Sequence, residues 1–187
     1  YRAMALYMLR GGVDVSDSAA IEKKCVEADI TIGHVNGEQV VYLNGENVNA
    51  FLRTEEVGNM ASVTSTHPAV RSRLVELQKK LAASCDCIMD GRDIGTCVLP
   101  NAQAKIYLTA SSEVRAKRRC DELEAKGLSV DFEQIRRDIE ERDYRDMHRE
   151  HSPLKQAEDA VLVDSSDMTI EEVIDRIIEI CSERKDS

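Results

Sequence analysis

Apolar positions at helical spacing open the chain. Tyr1–Leu9 (YRAMALYML) runs apolar along one face and stops at Gly11-Gly12, residues that commonly end a helix. Ser16–Val26 reads as a short amphipathic helix with Ser16 as its N-cap. The pattern then changes. Asn36-Gly37 and Asn44-Gly45 are strong two-residue hairpin turns, eight positions apart. Ile30–Val35, Glu38–Leu43 and Glu46–Val48 lie around them, which predicts a small antiparallel meander within a helix-rich stretch. The helical period resumes at Thr54. His67-Pro68 then sets a proline at the start of a helix over Pro68–Ala83, with Val70, Leu74, Leu77 and Leu81 on one face.

From Cys87 onward, short apolar runs alternate with longer helical ones. Cys87–Met89, Ala104–Thr109 and Ala160–Val163 read as buried strands. The helices between and after them span Ser111 to about Lys126 (broken at Gly127), Asp131 to about Glu150 (with Pro153 just beyond), and about Thr169 to Ser182. Strands separated by helices predict an α/β fold: a parallel sheet with helices on both faces, plus the small antiparallel insertion. Ligands of such sheets bind at the carboxyl ends of the strands. Those ends carry Asp90-Gly91-Arg92-Asp93, Ala110-Ser111-Ser112 and Asp164-Ser165-Ser166.

Composition narrows the ligand. Lys and Arg number 25 and Asp and Glu 35, a formal charge of −10. That balance disfavours nucleic acid and anionic membranes, whose binding rests on clustered cations, but permits one local group of arginines. Seven aromatic residues (five Tyr, two Phe, no Trp) are too few for a surface that stacks a run of bases. No apolar run approaches the roughly 20 residues of a membrane span, and the sequence, which opens on Tyr1 and not on Met, shows no signal-peptide pattern. The expectation is a cytoplasmic protein, monomeric for want of a large apolar seam. The six cysteines include Cys85-Asp86-Cys87, a C-x-C pair without a second pair at zinc spacing, and they read as reduced structural thiols, Cys87 as a small core hydrophobe. The four histidines show no metal spacing either.

Three groups of residues could carry chemistry. Asp90-Gly91-Arg92-Asp93 is either a turn with a solvated ion pair or a ligand-facing arginine beside an acceptor. Arg142, Asp146 and Arg149 fall at i, i+4 and i+7 and share one helix face. That face is either a solvated ion-pair ladder, as Glu141/Arg145 and Asp138/Arg142 would form, or an oxyanion site. Arginine is used there in place of lysine (Arg136, Arg137, Arg142, Arg145, Arg149), and its planar fork matches phosphate. Arg115, Arg118 and Arg119 form a third group in the first turns of the helix after Ala104–Thr109, either ordinary exposed helix arginines or an arm over a polyphosphate.

These pieces together resemble the bacterial cytidylate kinases (CMP kinases) of the nucleoside monophosphate kinase family, along essentially the whole chain. The motifs are Asp90-Gly91-Arg92-Asp93-Ile94-Gly95-Thr96, the run Arg142 to Arg149 followed by Ser152-Pro153-Leu154, and Arg53-Thr54-Glu55-Glu56-Val57. The insertion with two Asn-Gly turns is similar to the extra antiparallel segment of that family. The resemblance implies a P-loop fold and transfer of the ATP γ-phosphoryl group to CMP or dCMP, with Mg²⁺. It implies that Tyr1, Arg2, Arg92 and Arg149 approach the CMP phosphate, that Ser62, Arg71 and Asp93 read cytosine, and that Arg142 and Asp146 hold the ribose. Arg118, with Arg119 beside it, would reach the ATP phosphates. Arg118, Arg92 and Arg149 would stabilise the group in transfer. Residues 29–60 would be the nucleoside-monophosphate-binding insertion and about 115–131 a mobile lid arm.

The chain departs from the family at one place: it contains no G-x-x-x-x-G-K-[ST] loop and no Gly-Lys pair, whereas the resemblance implies such a loop N-terminal to the Tyr-Arg pair. The strand, loop and helix that supply it take about 40 residues. The expectation is a partial domain, cut from one of roughly 225 residues, that does not transfer phosphoryl groups by itself. Two other readings stand beside it: a non-catalytic nucleotide-binding or regulatory protein, and a kinase for UMP or another nucleoside monophosphate.

Overall fold

The computed structural model describes residues 1–185. The chain divides into two compact units, Tyr1–Asp86 and Cys87 onward.

The first unit is built around helix α1 (Arg2–Arg10), whose Ala3, Met4, Ala5, Leu6 and Met8 are all buried. A short helix buried on most of its circumference must be enclosed. Here α2 (Ser18–Glu27), α3 (Glu55–Thr64) and the meander pack on it, while α4 (Pro68–Ser84) packs on α2. The cap of α2 is Asp17, whose carboxylate accepts from the Ala20 amide, and not Ser16. Ser16 is drawn to Asp14 instead, donating from both its amide and its hydroxyl at 2.8 Å.

The meander forms as its turns dictate. β1 (Ile30–Val35) pairs antiparallel with β2 (Glu38–Leu43), from Ile30 opposite Leu43 to Val35 opposite Glu38, and β3 (Glu46–Asn47) pairs with β2. Asn36, Gly37, Asn44 and Gly45 have φ of 54°, 83°, 49° and 82°. Both loops thus take the left-handed conformation that matches strand twist, and Asn-Gly reaches it at least cost. Arg10 ties α1 to β3 through a two-armed ion pair with Glu46 at 2.5 and 3.0 Å, its guanidinium lying over the Phe51 ring.

The second unit holds a parallel pair, β4 (Ile106–Thr109) and β5 (Val161–Asp164), in register from Ile106 opposite Val161 to Thr109 opposite Asp164. Helices α5 (Ser112–Glu124), α6 (Phe132–His148) and α7 (Ile170–Lys185) accompany it. The protein is therefore α/β, with a small parallel sheet and an antiparallel insertion, but among the described residues the parallel sheet has two strands where the sequence predicts three. Residues 87–89 are not a strand. A strand requires a neighbour for its amides, and among the described residues β4 and β5 pair only with each other. Ile88 is accordingly fully exposed, and Cys87 is exposed, not a core hydrophobe. All six thiols are free.

Helix α6 has no buried residue. Polar helices of this kind depend on side-chain pairs for their attachment. Asp131 caps it through the Gln134 amide, Arg115 of α5 grips Asp143, and Ser112 donates to Glu140 at 2.8 Å. The break at Gly127 (φ 76°) separates α5 from α6.

Candidate functional site

The motif Asp90-Gly91-Arg92-Asp93 enters a widened helical turn, Ile94–Val98, that the sequence does not announce. Both the Cys97 and the Val98 amides donate to the Asp93 carbonyl, at 2.9 and 3.2 Å, and the Leu99 amide donates to the Ile94 carbonyl at 2.7 Å. Such π-turns are rare and concentrate at functional sites. This one fixes the backbone of Asp93, whose side chain is 7% exposed.

The end of α6 meets that turn. Arg92 Nε donates to Asp146 Oδ2 at 2.8 Å across 54 residues of sequence. Arg149 stands beside both acids, with Nη2 4.0 Å from Asp93 Oδ1 and Nη1 3.9 Å from Asp146 Oδ1. It lies just past the last helical residue, and its Nε donates to the Ser152 carbonyl at 2.7 Å. Ser152 has φ of 50°, an uncommon conformation for a non-glycine residue, and the residue before a proline is restricted further. The Leu154 amide closes the segment by donating to the Asp146 carbonyl at 2.8 Å. The structure thus brings together four residues named from the sequence: Arg92, Asp93, Asp146 and Arg149. Arg142 lies on α6 one turn before Asp146.

The arginines of α5 do not form one cluster. Arg115 binds Asp143 with both Nη atoms (3.1 and 2.5 Å) and the Ala110 carbonyl with Nε, so it serves as a strut between β4, α5 and α6. Arg118 reaches the end of β5, where Nη2 donates to the Ser165 carbonyl at 2.6 Å and Nη1 to its hydroxyl at 3.3 Å. Arg119 pairs along its own helix with Glu122 at 2.8 Å. Ser165 is itself buried, its amide and hydroxyl both donating to the Thr109 carbonyl. Ser166 takes the Ser111 amide at 2.9 Å and donates to Asp164, whose carboxyl is held below its ordinary value by that hydroxyl and the Ser166 amide. Sequence inspection flags both the Asp164-Ser165-Ser166 strand end and Arg118, but not that the two meet. Asp143 is not singled out by spacing; it acts through its pairing with Arg115 of α5.

Tyr1, Arg2, Ser62 and Arg71 belong to the first unit. Tyr1 precedes α1 and packs against the core. Arg2 Nη1 donates to the Leu52 carbonyl at 2.7 Å, and the guanidinium lies along α3 at Gly58, where a β-carbon would stand 3.5 Å from Nη1. Ser62 follows Gly58 by one turn on the same face of α3. Arg71, 6% exposed in the first turn of α4, donates through Nη1 to the Ser65 carbonyl at the end of α3. Among the described residues no group of His, Cys, Asp or Glu is placed to hold a metal ion, and no helix is long and apolar enough to cross a membrane.

Arginines steadied by aspartates, with one such pair bridging a tight turn and a helix end, are of the chemistry that can take an oxyanion such as phosphate. Comparison with known proteins specifies which. The family model described as Cytidylate kinase matches residues 1–183. The chain is 47% identical over 180 residues to a cytidylate kinase of Caldicellulosiruptor bescii, covering 96% of this chain and 80% of that protein. It is 44% identical over 185 residues to that of Lactobacillus johnsonii (99% and 80%), and 44% over 174 residues to that of Pasteurella multocida (93% and 77%). The chain belongs to the cytidylate kinase family, whose reaction is phosphorylation of CMP by ATP.

Proposed function

We propose that the acceptor is CMP or dCMP and that the Arg92/Asp93/Asp146/Arg149 cluster holds its phosphate, sugar and base edge. The observation that carries this reading is the convergence of two arginines and two aspartates from segments 54 residues apart. Arg92 and Arg149, with Tyr1 and Arg2, bind the phosphate and offset its charge so that it can approach ATP. Asp146 and Arg142 hold the ribose. Asp93, with Ser62 and Arg71, reads cytosine: a carboxylate accepts from the N4 amino group, and an arginine donates to the N3/O2 side. Uracil sets a carbonyl opposite Asp93, acceptor against acceptor, and a polar group left unpaired in this way rejects an analogue strongly.

Phosphoryl transfer needs little covalent help, and positioning with charge stabilisation does most of the work. Arg92, Arg149 and Arg118 supply that charge. Arg118 and Arg119 reach the ATP phosphates from a lid arm over about residues 115–131, so Arg118 must exchange Ser165 for phosphate and Arg119 must leave Glu122. Residues 29–60 form the acceptor-side insertion. Mg²⁺ enters as the counter-ion of ATP, and no residue of this chain is assigned to it. The protein works as a cytoplasmic monomer without nucleic-acid or membrane partners, in keeping with its charge of −10.

The test is ADP release by the full-length protein with CMP, dCMP, UMP and AMP. CMP and dCMP should be preferred, and Asp93→Ala should lose discrimination of CMP over UMP. Equal rates for CMP and UMP in the wild type would overturn the cytosine reading.

A further inference from the structure

We infer that Asp146 is a positioning residue for the phosphate-binding arginine Arg92, a role separate from any contact with the sugar. Arg92 spends only its Nε on Asp146, at 2.8 Å. Its Nη1 and Nη2 make no hydrogen bond among the described residues, and its side chain is 44% exposed. A guanidinium gripped at Nε keeps its outer edge, two parallel N–H groups, turned away from the carboxylate. That edge is the one that binds a phosphate oxyanion with two hydrogen bonds.

The grip is itself well founded. Asp146 is 16% exposed, so its charge is only partly screened by water. Its backbone carbonyl is held by the Leu154 amide, and Arg149 Nη1 stands 3.9 Å from its other carboxylate oxygen. One aspartate therefore aims one arginine by a direct hydrogen bond and stands between it and a second. An unheld arginine would have to give up several side-chain rotations on meeting the phosphate. Here that loss is already incurred in the free protein.

This inference rests on the reading of Arg92 as a phosphate ligand, and the experiment separates the two. Affinities for CMP and for cytidine, which lacks the phosphate, are measured on the full-length protein by calorimetry, with cytidine read by competition. The ³¹P resonance of bound CMP is recorded alongside. Arg92→Ala should lower the ratio of CMP to cytidine affinity by about 10- to 100-fold, the size of a charged hydrogen bond. Asp146→Asn should lower the same ratio about tenfold, and Asp146→Asn in the Arg92→Ala background should lower it no further. If Arg92→Ala leaves the ratio unchanged, the phosphate reading fails. If Arg92→Ala lowers it but Asp146→Asn weakens CMP and cytidine by equal factors, Asp146 touches only the sugar and the positioning role is overturned. Should Asp146→Asn not fold, Asp146→Glu moves the carboxylate by one methylene and should lower the ratio and shift the ³¹P resonance. An unchanged ratio in that variant counts against the role.

Discussion

Removing the Arg149 side chain should weaken CMP binding and destabilise the fold by amounts that can be read separately. Arg149 is 10% exposed, and its guanidinium stands 4.0 Å from Asp93 and 3.9 Å from Asp146, whose side chains are 7% and 16% exposed. At such distances each bare attraction is about 4 kcal/mol with an effective dielectric near 20, and desolvation offsets most of it. The Ser152 carbonyl also loses its Nε donor. A net loss of about 1–3 kcal/mol follows, the usual cost of leaving buried polar groups unpaired. For a chain of this size that lowers Tm by roughly 2–12 °C. CMP affinity should fall by about 1.5–3 kcal/mol, roughly 10- to 150-fold, as expected for a charged hydrogen bond to phosphate. Calorimetric titration with CMP and a thermal melt of Arg149→Ala measure the two effects. Arg149→Lys should regain part of the stability but little of the affinity, because an ammonium lacks the fork. A lowered Tm with unchanged CMP affinity would make Arg149 a strut between two aspartates and remove it from the phosphate site.

Hydrogen bonds from Lys126 and Arg119 bring the Glu122 carboxyl from its ordinary value near 4.5 to about 2. A carboxyl lowered by folding adds stability above the unfolded value and loses it as pH falls toward the folded one. The Tm gap between wild type and Glu122→Gln should therefore be widest near neutrality and close steadily between about pH 5 and pH 2. The same substitution frees Arg119, so KM for ATP should fall about twofold, the modest scale of an exposed ion pair. An unchanged KM in both Glu122→Gln and Arg119→Ala would remove Arg119 from the ATP site. Titration of the thiols near pH 8 should show three fast equivalents, the exposed Cys85, Cys87 and Cys181. Cys25 and Cys120 are buried, burial pushes both thiols up, and they should react only in denaturant. Fast reaction of Cys25 would contradict its enclosure between α2 and the core.

The antiparallel insertion is legible from sequence because its determinants are local: two Asn-Gly turns fix φ, and the strand register follows from them. Helix limits are legible where a cap and a breaker bracket them, as Asp131 and Gly127 do for α6 and the end of α5. Residues 87–89 show what sequence cannot supply, since an apolar run becomes a strand only if another strand offers hydrogen bonds. The candidate site divides in the same way. Helical spacing brings Arg142, Asp146 and Arg149 to one face, but Arg149 lies past the helix end. Its guanidinium is set by the Ser152 carbonyl and a left-handed backbone that no propensity announces. The three arginines of α5 read as one cationic cluster, yet each takes a different partner, because Asp143, Ser165 and Glu122 are distributed by tertiary packing.

That distribution bears on how a chain of charge −10 holds a doubly anionic substrate. In isolation an excess of carboxylates repels phosphate. In this fold the aspartates near the arginines do something else: Asp146 takes the Nε edge of Arg92, Asp143 takes both arms of Arg115, and Asp93 and Asp146 flank Arg149. Asp146 and Asp143 each satisfy one side of a guanidinium and fix its plane, in Arg92 and Arg115 respectively. The price is some net positive potential, and the gain is direction. A fully gripped arginine such as Arg115 has no arm left and can only brace the fold. One gripped at Nε, such as Arg92, keeps two donors for the ligand. On the reading proposed above, the guanidinium atoms still unengaged set Arg92 apart from Arg115, whereas Arg118 must first release Ser165.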